Sequence, residues 1–191
     1  MKQNRKRKWI IIAILLLVAN TYFYPYSNLS LNKSYSYHAD NVMVRGYLKE
    51  LRDFKKVYKN DLKKNVFSED VTTRVDYLLL MSEQEWLVKE EPSKMKRSKL
   101  KRLYEDMNIL RESLMELESK ENFSPETESY LTYAINRCSS IQKQIRYLLN
   151  SKNDSRYDLQ TLYHNLHVGF MGCFGIFTSY YESAKREKVN S

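Results

Sequence analysis

Leu100-Lys-Arg-Leu103-Tyr-Glu-Asp-Met107-Asn-Ile-Leu110-Arg-Glu-Ser-Leu114-Met-Glu-Leu117 is the stretch that decides the fold. Its apolar positions, Leu100, Leu103, Met107, Leu110, Leu114 and Leu117, alternate steps of three and four. That spacing keeps them on one side of a helix and makes the seam of a long bundle or coiled coil. Downstream, Phe123-Ser-Pro-Glu126 places a capping Ser before Pro at the first helical position, so the chain restarts as another helix. Its seam is Leu131, Ala134, Cys138, Ile141, Ile145 and Leu148. After a polar turn over 150–155 a further helix carries Leu159, Leu162, Leu166, Gly169, Cys173, Ile176 and Tyr180.

Upstream the same period recurs. Val44, Tyr47, Leu51, Phe54, Tyr58 and Leu62 form a stripe over roughly 40–63. Ser68 is the expected N-cap of a helix carrying Val71, Val75, Leu78, Leu79 and Trp86 as far as Pro92. No segment shows the sustained alternation of a strand. Long helices joined by short turns run antiparallel to their neighbours. The expected fold is therefore all-α, an antiparallel four- to five-helix bundle over 40–191 preceded by an N-terminal transmembrane helix.

The expectation of a membrane helix comes from the first residues. Lys2, Arg5, Lys6, Arg7 and Lys8 form a basic head over 1–8, followed by the uncharged run Trp9-Ile-Ile-Ile-Ala-Ile-Leu-Leu-Leu-Val-Ala19. A basic head stays on the cytoplasmic side and the rest is exported. Tyr22, Phe23, Tyr24 and Tyr26 supply the aromatic composition that settles at headgroups. Read over 9–26, the segment is a single-span signal anchor; Leu17-Val18-Ala19 also reads as a cleavage site that would leave a secreted protein. Residues 27–39, without helical or strand period, read as a juxtamembrane linker.

The net charge of +9 resembles a nucleic-acid binder until the head is removed. Five positive charges belong to it, and the remaining 27 basic and 23 acidic residues leave +4, an ordinary mixed surface. With the domain placed outside the cytoplasm, nucleic acid is not an expected partner. Scarce Gly and Pro beside abundant Lys, Asn, Tyr and Ile match AT-rich coding and point to a low-GC bacterium.

Four constellations stand out. Cys138 and Cys173 sit on two seams, in a compartment that permits a disulfide. Pairing about a turn near residue 153 leaves Cys173 about 7 Å too far along the axis, so buried free thiols are the competing reading. His164 and His167 share a helix face as two ligands of an incomplete metal site. Gly169, Gly172 and Gly175 each cost about 1 kcal/mol relative to Ala in a helix interior, which close approach of another helix, internal or from a partner, would offset. Lys94, Lys96, Arg97, Lys99, Lys101 and Arg102 open the Leu100 helix at the end where the macrodipole disfavours cations, a candidate patch for lipid headgroups or an anionic envelope polymer.

No phosphate loop, nucleophile elbow, metal cluster or acid pair is present, so neither an enzyme nor a cofactor is expected. The expected function is that of a membrane-anchored extracytoplasmic helical domain. It would act as a non-enzymatic binding or accessory component of a bacterial cell-envelope complex, through a protein partner or self-association. A ligand-sensing or metal-binding domain using His164 and His167 is the contrasting class.

Overall fold

The computed structural model describes residues 2–190; Met1, Ser191 and the side chains of residues 2–5 and 190 lie outside the described residues. Among the described residues, seven helices and two short strands follow in the order α1 (Lys2–Phe23), β1 (Ser34–Tyr37), α2 (Asn41–Lys63), α3 (Glu69–Ser82), α4 (Glu85–Val88), β2 (Ser93–Lys96), α5 (Arg97–Lys120), α6 (Pro125–Asn150) and α7 (Arg156–Asn190). The protein is mostly helical, as the seams require.

Side-chain pairs give the helix directions. Tyr104 meets Arg146, Asn108 meets Gln142 and Glu118 meets Thr132, so α5 and α6 are antiparallel. Cys138 faces Cys173 and Thr127 faces Ser183, so α6 and α7 are antiparallel as well. Tyr47 reaches Ser82 and Tyr58 reaches Thr72, which sets α2 against α3. Tyr47 packs on Phe174 and Phe54 on Tyr181, so α2 and α7 run parallel and close the bundle. The seam residues Leu100 to Leu117 and Leu131 to Leu148 are all buried in one core.

Local chemistry marks the helix starts. Asp40 caps α2, its Oδ1 accepting from Val42 N at 2.7 Å and Met43 N at 3.2 Å. Ser124 caps α6 ahead of Pro125. Ser68 occupies the N-cap of α3, but its hydroxyl makes no capping bond.

Two expectations are corrected, and a third finds no support. Residues 27–39 are not a linker: Ser34–Tyr37 pairs antiparallel with Ser93–Lys96, in the register Ser34 with Lys96 and Ser36 with Lys94. Tyr35, Tyr37 and Met95 turn inward from this ribbon while Lys94 and Lys96 turn out, an alternation only four residues long on each strand. The helix expected up to Pro92 stops at Ser82, whose carbonyl is taken by the Tyr47 hydroxyl; a separate turn, α4, then buries Trp86 and Leu87.

Finally, the expected membrane span over 9–26 is not found. Among the described residues no helix is long and apolar enough to cross a membrane. Charged residues through Lys8 occupy the first part of α1, and the helix ends at Phe23. The uncharged part, Trp9 to Phe23, measures about 22 Å against a hydrocarbon thickness of about 30 Å. Just past the helix end, Pro25 and Tyr26 are buried in the domain.

Candidate functional site

The end of the bundle from which α1 emerges is built around Tyr26, 1% exposed. Its hydroxyl donates to Met95 O at 2.8 Å, so its one proton is committed there and the short bond to Tyr163 Oη is donated by Tyr163. Arg97 Nη2 donates to Tyr26 O at 3.1 Å and the guanidinium lies 5.5 Å from the Tyr26 ring centre. Burial pushes the Tyr26 phenol up to about 12 and Tyr163 well above its ordinary value, so both hydroxyls stay protonated. Asn20 Nδ2 donates to Ser27 Oγ at 2.7 Å and Leu31 N to Thr21 Oγ1 at 3.3 Å, which folds the following loop against the last turn of α1.

Beneath the ribbon these tyrosines belong to an aromatic plug. Tyr35 stacks on Tyr163 with ring centres 5.4 Å apart, and Trp86 meets Phe170 edge-on at 5.3 Å. His167 sits among them, fully buried, with Nδ1 3.1 Å from Tyr37 Oη. Its Nε2 faces the backbone of Leu87 without a hydrogen bond of normal geometry. Burial, with a minor contribution from His164, lowers the imidazole to about 4, so it is neutral at physiological pH.

The metal expectation therefore meets an obstacle at His167, whose Nδ1 is occupied and whose ring is enclosed. His164 is only half-buried, and among the described residues no group of three or more His, Cys, Asp or Glu is gathered to hold a metal.

Cys138 and Cys173 face each other with Sγ atoms 3.7 Å apart and no bond between them. The expected axial offset is absent because α6 and α7 are in register at this level. The hydrogen bond with Cys173, and then burial, raise the Cys138 thiol far above its usual range, which keeps it from acting as a thiolate.

The three glycines of α7 have three different surroundings. A Cβ on Gly169 would lie 3.3 Å from Gln144 Oε1 and from Ile141 Cγ1, so here α6 does approach closely. A Cβ on Gly172 would meet the Arg137 guanidinium, whose Nε donates to Gly169 O at 3.3 Å. A Cβ on Gly175 would meet nothing within 4 Å. Gly172 and Gly175 instead floor an open groove of about 590 Å³ between α6 and α7, walled by Tyr130, Tyr133, Arg137 and Ile176.

The basic patch does not form one helical face, because the chain changes from strand to helix within it. Lys94 and Lys96 point outward from β2, and Arg97 turns to Tyr26. Lys99 is partly enclosed, with burial lowering its ammonium and Glu85 opposing that shift. Lys101 and Arg102 are exposed on α5. No carboxylate occupies the first turn of α5 to offset them. Sequence reasoning put Tyr26 at the headgroups, Tyr37 in a linker and Trp86 on a helical stripe, and did not bring the three together because their partners lie far away along the chain. Comparison with family models, curated proteins and solved structures finds no match for this chain.

Proposed function

We propose that the protein is a membrane-tethered, non-enzymatic helical binding domain, an accessory component of a bacterial envelope complex. One observation carries this reading. From Trp9 to Val18 the large apolar side chains of α1 are 37–66% exposed and occupy every side of the helix. A helix apolar all round is stable only when something covers it, and a lipid-facing location is the one that does so without a partner. In that location the 22 Å of uncharged helix would require snorkelling of Arg7 and Lys8 and local thinning of the bilayer. At the other end Tyr22, Phe23, Tyr24, Leu29 and Leu31, all exposed, make a collar suited to the headgroup region.

Trp9 provides the test, since the other tryptophan, Trp86, is buried in the plug. In a Trp86→Phe protein mixed with vesicles, Trp9 emission is expected to shift to the blue and to be quenched by brominated acyl chains. The protein should also float with vesicles after alkaline washing. Unquenched Trp9, or a mature chain beginning at Asn20, overturns the tether.

The surface this domain presents to a protein, or to a second copy of itself, is the α6–α7 groove. Glycines in a helix interior cost stability, and the walls carry the Tyr and Arg side chains that dominate protein contacts. A photocrosslinking residue at Tyr133 is expected to trap a defined adduct in intact membranes that the same probe at Val57, exposed on α2, does not. Equal trapping at both positions removes the groove from this role.

A further inference from the structure

At the root of α1 a pocket of about 570 Å³ is lined by Tyr22, Phe23, Tyr35, His38, Arg156 and Tyr157, among others. Arg156 is the first residue of α7 and is half-buried. Its guanidinium carbon lies 5.1 Å from the Tyr22 ring centre and 5.5 Å from that of Tyr35. The two rings hold the group in place, yet among the described residues it makes no ion pair and no hydrogen bond. The adjacent acids do not take it. Asp158 accepts from Ser155 N at 2.9 Å and Ser155 Oγ at 2.7 Å, closing the helix cap, and Asp154 stays beyond ion-pair distance. An arginine held in place with its donor edge unused is suited to a planar or tetrahedral oxyanion, which it binds through two parallel bonds.

We propose that this pocket binds the phosphate of an anionic phospholipid headgroup, with Arg156 as the ligand-binding residue. The inference rests on the tethering reading of α1, because that reading places the pocket at headgroup depth. Tyr22 and Phe23 end α1, and Tyr157, 82% exposed, lines the pocket from α7. Ser36 of the lining pairs across the ribbon with Lys94, and Lys96 of the same ribbon and Lys33 just before it are exposed; these three cations and Arg156 outweigh the carboxylates of Asp154 and Asp158, so the balance favours a net negative lipid over a zwitterionic one. Arg156 is held between α1 and β1 by its two rings, so a bound headgroup would fasten the tether to the domain at the point where the chain leaves the bilayer.

The experiment uses the full chain in nanodiscs of equimolar phosphatidylglycerol and phosphatidylcholine, with retained lipid counted by native mass spectrometry. One phosphatidylglycerol is expected to remain on the wild type in preference to phosphatidylcholine. Arg156→Gln should lower that retention about tenfold, the worth of a charge-assisted hydrogen bond. Wild-type retention by a folded Arg156→Gln protein overturns the site. If this variant melts at lower temperature, Arg156→Lys decides: retention below wild type supports the guanidinium contact, and undiminished retention overturns it. Displacement of the lipid by inorganic phosphate alone overturns the lipid assignment in favour of a soluble anion. A protein that enters the discs without headgroup selectivity defeats the pocket and leaves the tether standing, whereas one that never enters them defeats both.

Discussion

The α5–α6 seam and the plug beneath the β1–β2 ribbon are equally buried and made of different materials. The seam is aliphatic: Leu103, Met107, Leu110 and Leu114 face Leu131, Ile141 and Ile145 with no polar atom in their side chains other than the Met sulfur. Its stability scales with area removed from water and tolerates shape changes of modest size. In the plug only Phe170 is without a polar atom: the hydroxyls of Tyr26, Tyr35, Tyr37 and Tyr163 all have partners, whereas Trp86 Nε1 and His167 Nε2 have none. The seam holds two helices together wherever they touch. By contrast, the plug fits one arrangement, in which α1, the ribbon, α4 and α7 meet at defined atoms.

The largest effect expected is in the seam. Leu114→Ala should lower unfolding stability by about 3 kcal/mol in urea titrations of the full chain in mild detergent, equally at pH 5 and pH 7. A pH-dependent loss would mean that the two regions are not separable.

The plug should respond to acid instead. His167 has its folded pKa lowered from about 6.5 to about 4, so at intermediate pH the unfolded chain binds a proton that the folded chain does not. Its contribution is intact above pH 6.5 and is lost as pH falls towards 4, with about 2 kcal/mol gone by pH 5. His167→Gln should flatten this part of the stability profile. An unchanged acid slope would assign it to other groups.

A smaller change tests whether the hydroxyls matter. Tyr163→Phe keeps the stack on Tyr35 and removes the proton donated to Tyr26, with an expected cost of about 1–2 kcal/mol. A neutral or stabilising result would make the plug hydrophobic in substance and erase its difference from the seam.

Smallest, and opposite in sign, is Gly175→Ala. Its Cβ meets nothing within 4 Å, so helix propensity alone should raise stability by up to about 1 kcal/mol. Gly169→Ala, pressed at 3.3 Å by Gln144 and Ile141, should gain less. Equal gains at both positions, read as melting temperatures, would deny that α6 crowds the upper glycine.

The same contrast explains what the sequence made visible. Seam residues declare themselves locally, since every member lies three or four positions from the next. Tyr26 finds Tyr163 across 137 positions and Tyr37 finds His167 across 130, and no period links them. Ser-Tyr-Ser-Tyr and Ser-Lys-Met-Lys do alternate, but four residues are too few to outweigh a tyrosine-rich stretch that resembles a linker and a basic run that resembles a helix start. Glycine spacing on α7 was visible too. That one glycine is pressed by α6, one faces a guanidinium and one floors a groove depends on the neighbouring helix. The free edge of Arg156 was invisible for the same reason, because the two rings that hold it come from α1 and β1.

Tyr26 is locked by Met95, Tyr163 and Arg97, and that lock replaces what would otherwise be a swivel. A flexible tether lets a domain sample all attitudes over a bilayer, whereas a clamped one makes the domain lean as its helix leans. Gly172 and Gly175 lie 16 and 19 residues beyond Arg156 on α7, roughly 25 Å along the helix from the root. Under the tethering proposal the groove would then stand at a set distance and bearing from α1, and a partner would have to bring its contact to that place.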